Sequence, residues 1–313
     1  MNRHALEKFV LRTPLIPLDT CIDSARANIY LKPENLQPFG SYKIRGIASV
    51  VSHYPETDLE KGLAAASAGN MGQTVAFAAQ QLKIPCQIYV PESAPAIKKN
   101  MIQQLGADLV QLPFDEIWGL VNGDNEIKGE KIFIHPACSK PLLKGYASIA
   151  AELIEDMPTL DAVIIPFGVG GLCRGIGRAL RNSRPDIAIY TCEPETAAPL
   201  KASLALGTPV SITRIPSFVD AIGTPEVLPQ IFCEMRSLIN DSIVVSLDQI
   251  RKAIQILFYK HKLLCEGAAA CSLAAAMQLS MTGRFNHIAC ILTGGNISLD
   301  TLNEIMSCQR EPY

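Results

Sequence analysis

Lys43 is the residue whose type and setting could do covalent chemistry. It sits in Ser41-Tyr42-Lys43-Ile44-Arg45-Gly46, shortly after Pro38-Phe39-Gly40. An amine held out of water gives up its proton more readily, and the neutral form is a nucleophile. Lys43 could therefore form an imine with an aldehyde. It could equally be, with Arg45, a solvated charge in the first turn of a helix, since lysines are mostly exposed. The lysine alone leaves both readings open, and three glycine-rich stretches far away in the chain bear on the choice.

The first is Ser67-Ala68-Gly69-Asn70-Met71-Gly72-Gln73, which follows the apolar run 63–66. Small residues let backbone N–H groups close on an anion, and a helix start adds a favourable partial charge. A carboxylate or a phosphate would fit equally well. So would an ordinary turn in which Ser67 or Asn70 caps the helix. The second is Phe167-Gly168-Val169-Gly170-Gly171-Leu172, after the apolar run 162–165. A glycine loop between strand and helix suits a phosphate, or simply close helix–strand packing. Its spacing is neither the dinucleotide G-x-G-x-x-G nor a P-loop. The third, Thr293-Gly294-Gly295-Asn296, ends the apolar run 288–292. In an open α/β sheet ligands gather at the carboxyl ends of strands, so the three stretches can converge. A lysine with several anion-cradling loops suggests a phosphorylated aldehyde as cofactor.

The elements that would position these residues alternate along the chain. Apolar runs predict strands at 29–32, 63–66, 87–90, 109–112, 132–134, 162–165, 187–192, 243–245 and 288–292. Amphipathic stretches predict helices over 43–53, 72–82, 96–105, 145–155, 171–181, 247–262 and 268–281. In 247–262, Leu247, Ile250, Ile254, Leu257 and Phe258 recur at helical spacing. This alternation predicts an α/β chain with largely parallel sheets. Residues 61–138 hold compact strand–helix units and are expected to form a small domain, with 1–60 and 139–313 forming a larger one.

Composition narrows the function class. The chain is 48% hydrophobic and 19% charged, enough for a sizeable core. A formal charge of -2 offers no basic footprint for nucleic acid. The Ala-rich stretch 268–281 is too short for a membrane span, and Ser272 and Gln278 interrupt it. With no signal-peptide pattern at the N-terminus, a soluble cytoplasmic protein is expected. The ten cysteines form no C-x-x-C pair and read as reduced thiols. The five histidines show no metal-ligand spacing, so no metal is expected.

Taken together the motifs resemble a family. Arg12-Thr13-Pro14-Leu15, Lys32-Pro33-Glu34-Asn35-Leu36-Gln37, the Lys43 segment, 67–73, His135-Pro136, 168–171, Cys192-Glu193, Glu266 and 293–296 occur in one order. That order resembles the fold-type II pyridoxal-phosphate (PLP) enzymes of the threonine/serine dehydratase group, relatives of serine racemase. The resemblance implies a tryptophan synthase β-like architecture: two open, twisted, mainly parallel sheets with flanking helices and an active site in the interdomain cleft. It implies that Lys43 holds the cofactor and then acts as base at Cα. Tyr42, where the family usually has Phe, would pack near the cofactor, and Asn70 would bond the pyridine 3-oxygen. The Ser67 hydroxyl and the segment Ser67, Ala68, Gly69, Asn70, Met71 would hold the substrate carboxylate. Gly168, Val169, Gly170, Gly171 and Leu172 would cradle the phosphate, Glu266 would lie near the ring, and Thr293 would meet the pyridine nitrogen. A hydroxyl there leaves the ring mostly neutral, which favours prompt loss of a β-substituent over a long-lived carbanion.

The implied activity is an ammonia-lyase (dehydratase) converting a β-hydroxy amino acid such as L-threonine or L-serine to a 2-oxo acid and ammonia, in a cytoplasmic homodimer. Alternatives are a β-replacement enzyme, an amino-acid racemase, or a PLP-fold binding protein without turnover. Several positions depart from the family pattern. Racemases carry a second serine at the position of Ala68. Val169 interrupts the usual four-glycine loop. Ala137-Cys138-Ser139 follow His-Pro where dehydratases often carry acids, and Gly145-Tyr146-Ala147-Ser148 replaces Gly-Gln-Gly-Thr beside Lys144. Of the racemase metal carboxylates, Glu193 matches, but Pro199 stands for the aspartate.

Overall fold

Sheets covered on both faces bury every side chain, so their strands are continuous apolar runs rather than alternating ones. The structure, a computed structural model, describes residues 6–19, 27–123 and 129–307. Its strands are β1 (Ile16–Pro17), β2 (Asn28–Lys32), β3 (Leu63–Ala66), β4 (Cys86–Pro91), β5 (Asp108–Leu112), β6 (Ile132–Phe133), β7 (Ala162–Pro166), β8 (Ala188–Pro194), β9 (Asp241–Val245) and β10 (His287–Ile291). Every residue of β3 and β7 is buried. Each expected strand is present, with ends shifted by up to two residues. The expected α/β class with mainly parallel sheets holds.

The chain divides into two compact units: residues up to Leu11 with Gln37–Ser148, and Arg12–Leu36 with the chain from Ile149 on. The expected small domain, 61–138, lies inside the first unit, which also takes in 37–60 and 139–148. The first unit holds a parallel sheet in the order β5-β4-β3-β6, with helices such as Asn70–Leu82 between its strands. The second holds the order β1-β2-β10-β7-β8-β9. There only β1 runs antiparallel to its neighbour.

The Ala-rich stretch is the helix Gly267–Ser280, buried on nearly every face. A helix apolar all round belongs in a core. Its small side chains let it pack on β7 and β10 and against the helix Leu247–His261. That second helix opens with a capping box between Ser246 and Gln249. Its buried stripe is Ile250, Ala253, Ile254 and Leu257, whereas Phe258 is exposed, just past the stripe's edge.

Helices absent from the sequence reading include Phe114–Asn122, Pro199–Leu206 and Pro229–Leu238. Each begins at or just after a proline. Proline punctuates a sequence, but its fixed φ also suits the first helical position. The helix expected from 145 starts earlier, at Lys140, with Pro141 in its first turn. Among the described residues no helix is long and apolar enough to cross a membrane. Eight described cysteines are free thiols, and burial pushes Cys86 and Cys290 up to about 12.

In the first unit two helices touch through their backbones. A Cβ at Gly145 would lie 2.2 Å from the Arg45 carbonyl oxygen, and one at Gly46 would lie 2.5 Å from Cε1 of Tyr146. Arg45, itself buried, closes the crossing. It donates from Nη1 to Ser148 Oγ at 3.1 Å and from Nη2 to the Leu11 carbonyl at 3.0 Å. Ser148 in turn donates to the Gly145 carbonyl at 2.7 Å. Gly145→Ala should therefore destabilise the fold by about 1–3 kcal/mol, as overpacking does. Scanning calorimetry should show a lowered melting temperature, with Lys144→Ala, at an exposed neighbour, as the unshifted control.

Candidate active site

Lys43 opens the helix Lys43–His53, and its side chain is half-buried rather than fully solvated. Nζ donates to the Tyr42 hydroxyl oxygen at 2.5 Å and lies 4.4 Å from the centre of that ring. The Tyr42 ring meets Tyr146 edge-on, with centroids 4.9 Å apart. Tyr146 is fully buried, and its hydroxyl has no hydrogen-bond partner among the described residues. Burial raises the Tyr146 phenol well above its ordinary value. Tyr146, seen in the sequence only as a departure from a motif, thus supports the wall beside Lys43.

The stretch after β3 belongs to the same unit. Helix Asn70–Leu82 packs against helix Lys43–His53. Its N-cap is Gly69, with no side-chain cap, so neither Ser67 nor Asn70 plays the capping part that the plain-turn reading allowed. Ser67 instead accepts from the Gly69 amide at 3.2 Å, which leaves its own proton available to a second partner. The Gln73 amide to the Gly69 carbonyl, 3.2 Å, is the first bond of the helical series. The amides of Asn70, Met71 and Gly72 precede that bond, and a helix cannot satisfy such groups from within. Ser67, Ala68, Gly69 and Asn70 are half-buried, and Met71 is buried.

The second unit carries the other glycine-rich stretches. β7 and β10 are parallel neighbours, so the loops after Pro166 and after Ile291 leave the same edge of the sheet. The helix Gly171–Ser183 begins after Gly170, whose φ of +88° favours glycine. A Cβ at Gly170 would also lie 2.6 Å from Ile231 Cγ2. The Arg174 amide to the Gly170 carbonyl, 3.0 Å, starts the helical series, leaving the amides of Gly171 and Leu172 ahead of it. A Cβ at Gly168 would meet only ordinary contacts, from 3.5 Å. The loop thus depends on glycine at 170, and Val169 is accommodated, half-buried.

Thr293 is 5% exposed, and its Oγ1 has no hydrogen-bond partner among the described residues. Glu266 is buried at the start of helix Gly267–Ser280, and its amide donates to the Gly294 carbonyl at 3.0 Å. That bond ties Glu266 to the Thr293 loop. Asn35 braces the same loop, a part the sequence reading did not give it. Its amide nitrogen Nδ2 donates to the Leu264 carbonyl at 3.0 Å, and its backbone N–H to the Leu292 carbonyl at 2.9 Å.

Other motif residues serve the frame. Lys32 is 0% exposed; Nζ donates to the Thr13 carbonyl at 2.6 Å and pairs with Glu152 at 2.6 Å. The Thr13 hydroxyl donates to Glu34 at 2.7 Å. A buried lysine requires such partners, since an unpaired charge out of water is costly. His135 Nδ1 accepts from the amides of Ala137 and Cys138, each at 3.0 Å, so His-Pro-Ala-Cys forms a local turn.

Comparison with known proteins identifies relatives of the whole chain. The family model described as "Pyridoxal-phosphate dependent enzyme" matches residues 6–294. An L-threonine ammonia-lyase of Geobacter sulfurreducens is 33% identical, over 96% of this chain and 75% of the relative. The serine racemase of Mus musculus is 31% identical, over 96% and 91%. Among solved structures, the processed form of threonine deaminase isoform 2 from Solanum lycopersicum aligns with a TM-score of 0.85 at 28% identity. That alignment covers 96% of this chain and 89% of the other.

Glu193, the position shared with the racemase metal carboxylates, is engaged elsewhere. It accepts from the Leu200 amide at 2.8 Å, the Lys201 amide at 2.9 Å and the Ser242 hydroxyl at 2.6 Å. It thereby satisfies the start of helix Pro199–Leu206. Among the described residues no group of three or more His, Cys, Asp or Glu could hold a metal. Burial raises the Glu193 carboxyl to about 7, against the lowering effect of these donors. A raised carboxyl binds its proton more tightly folded than unfolded, so its contribution to stability falls as pH rises from about 4.5 to about 7. Melting temperatures measured from pH 5 to 8 should show a decline that Glu193→Gln flattens. An identical decline in both proteins would exclude Glu193 as its source.

Proposed function

Because the chain belongs to the pyridoxal-phosphate-dependent enzyme family, we propose that it is an ammonia-lyase converting a β-hydroxy amino acid such as L-threonine or L-serine to a 2-oxo acid and ammonia. The observation that carries this reading is the buried Thr293 hydroxyl with no partner among the described residues. A hydroxyl in that state fits a group that brings its own acceptor, as a pyridine nitrogen does. The other donors fit pyridoxal phosphate as well: first-turn amides at Gly171 and Leu172 for the phosphate, and the Lys43 amine for the aldehyde. When bound, the cofactor supplies an electron sink for the bonds at Cα of an amino acid.

The roles assigned to the chain's own residues follow. The Gly168, Val169, Gly170, Gly171 and Leu172 loop takes the phosphate. Thr293 donates to the ring nitrogen, Asn70 to the ring oxygen, and Glu266 and Tyr42 line the ring. The amides from Ser67 to Met71, with the Ser67 hydroxyl, hold the substrate carboxylate. Lys43 takes the proton from Cα. A neutral donor at the ring nitrogen would leave the ring a weaker electron sink than a protonated ring, which would favour prompt elimination, the pair at Cα forming the Cα–Cβ double bond as the Cβ–O pair leaves with the hydroxyl. Relatives named as ammonia-lyase and as threonine deaminase support this reading. Its setting is a cytoplasmic homodimer, for which a particle of twice the chain mass in light scattering is the check.

Purified protein should show a visible cofactor band, and borohydride should fix the cofactor on the peptide containing Lys43. Incubation with L-threonine or L-serine should yield 2-oxo acid and ammonia, and Lys43→Ala should lower that rate by about 10²–10⁴-fold or more. A label on Lys32 or Lys144, or no 2-oxo acid across an amino-acid panel, would refute the reading.

Ala68 separates elimination from racemisation. A methyl group delivers no proton to the face of Cα opposite Lys43, so little D-amino acid should form. Ala68→Ser should raise the racemised fraction, measured by chiral chromatography of residual substrate. Abundant D-serine from the unaltered protein would move the assignment to a racemase.

A further inference from the structure

Tyr42 carries a hydroxyl that lies 2.5 Å from Lys43 Nζ. The contact has two parts. The ring face, 4.4 Å from Nζ, attracts the charged form, as any aromatic ring would. The hydroxyl adds something a phenyl ring cannot: it accepts from an ammonium and donates to a neutral amine. The bond can therefore reverse direction without either heavy atom moving. Phenol and amine also have similar ordinary proton affinities, about 10 and 10.4.

The ring is held in place. Tyr146 meets it edge-on at 4.9 Å, and is fully buried in space that the missing side chain at Gly46 leaves for it. Few other ionisable groups lie on the elements around it. Helix Asn70–Leu82, packed against the Lys43 helix, has none. The turn Glu7–Phe9 offers Glu7, which accepts from Ser52, and Lys8, which lies over Phe9. On the Lys43 helix itself, Arg45 is bound to Ser148 and Leu11, and His53 lies in the last turn against Tyr54. At its first turns the helix Lys140–Asp156 brings Lys140 and Lys144, both exposed, and Tyr146.

We propose that Tyr42 is a positioning residue acting through Lys43, its phenol holding Nζ and setting the pH at which the amine takes and releases a proton. This rests on the reading of Lys43 as the cofactor-holding base. In the step it serves, the Cα–H bond breaks, its electron pair stays with the substrate, and a new N–H bond forms at Nζ. The phenol then changes from donor to acceptor. The proton leaves Nζ later with the departing oxygen or to solvent, and the original hydrogen bond returns.

The test compares the cofactor-loaded protein with Tyr42→Phe, which keeps the ring and removes the hydroxyl. The pH midpoint of the visible band should fall by about one unit, since the lost acceptor had favoured the charged nitrogen. The acid limb of the kcat/KM profile should move the same way, and kcat/KM should drop about ten- to a hundredfold, the effect of one hydrogen bond to a charged group. Melting temperature should stay within a few degrees. Site-specific 3-fluorotyrosine at position 42 gives a second measurement: it keeps the size, lowers the phenol's proton affinity and should shift the same midpoint. Unchanged midpoints in both variants, with kcat/KM within about twofold, would overturn the proposal. A wild-type protein with no visible band and no label on Lys43 would instead defeat the underlying reading.

Discussion

Every α-helix begins with amides that its own backbone cannot satisfy, and each of the two units of this chain carries one such beginning directly after a fully buried strand. One follows β3, where Gly69 rather than a capping side chain stands at the helix start. The other follows β7, where Gly170 turns the chain through positive φ before helix Gly171–Ser183. Both strands are buried over their whole length, so both helix starts rest on rigid, fully covered segments. Amides that a helix leaves unsatisfied from within favour anions, and the glycines keep side chains from filling the space. A capping serine or aspartate in place of Gly69 would spend those amides on the protein itself.

The same accounting explains the lone hydroxyls. Thr293, just past the end of β10, is buried with an unpaired Oγ1; the Asn35 Oδ1 beside it and the Thr191 Oγ1 on β8 also lack partners among the described residues, whereas the charged motif residues of the same unit are engaged. Lys32, Glu34 and Thr13 form a closed set, and Glu193 is taken by two amides and a hydroxyl. Folded proteins leave few such groups unmet, so an unpaired one is informative in proportion to how well its surroundings are satisfied. Tyr146, beside Tyr42, carries another unpaired hydroxyl.

The departures from the family pattern have local physical explanations. Gly145 is kept because its Cα faces the Arg45 backbone, where no Cβ fits. Ser148 retains a hydroxyl and uses it between Arg45 and the Gly145 carbonyl. Tyr146 fills space against Tyr42. The two tyrosines are one packed pair, which single positions in a sequence do not reveal. Val169 is tolerated because the tight position of its loop is Gly170.

The sequence by itself determined nine of the ten described strands, most plainly β3 and β7, where burial on both faces writes an apolar run that local reading detects; the two-residue β1 left no such run. It determined the family as well, through the order of short motifs across the chain, with Lys43 and the three glycine-rich stretches among them. It understated the helices that start at proline, since the residue that interrupts a pattern is also the one that fits a first turn. Only the tertiary structure decided what each polar motif residue touches. Arg45 and Lys32 look like surface charges until Ser148 and Glu152, each more than a hundred residues away, are in place beside them. Whether a hydroxyl such as Thr293 is engaged or unpaired depends on every neighbour at once, and no spacing along the chain encodes that.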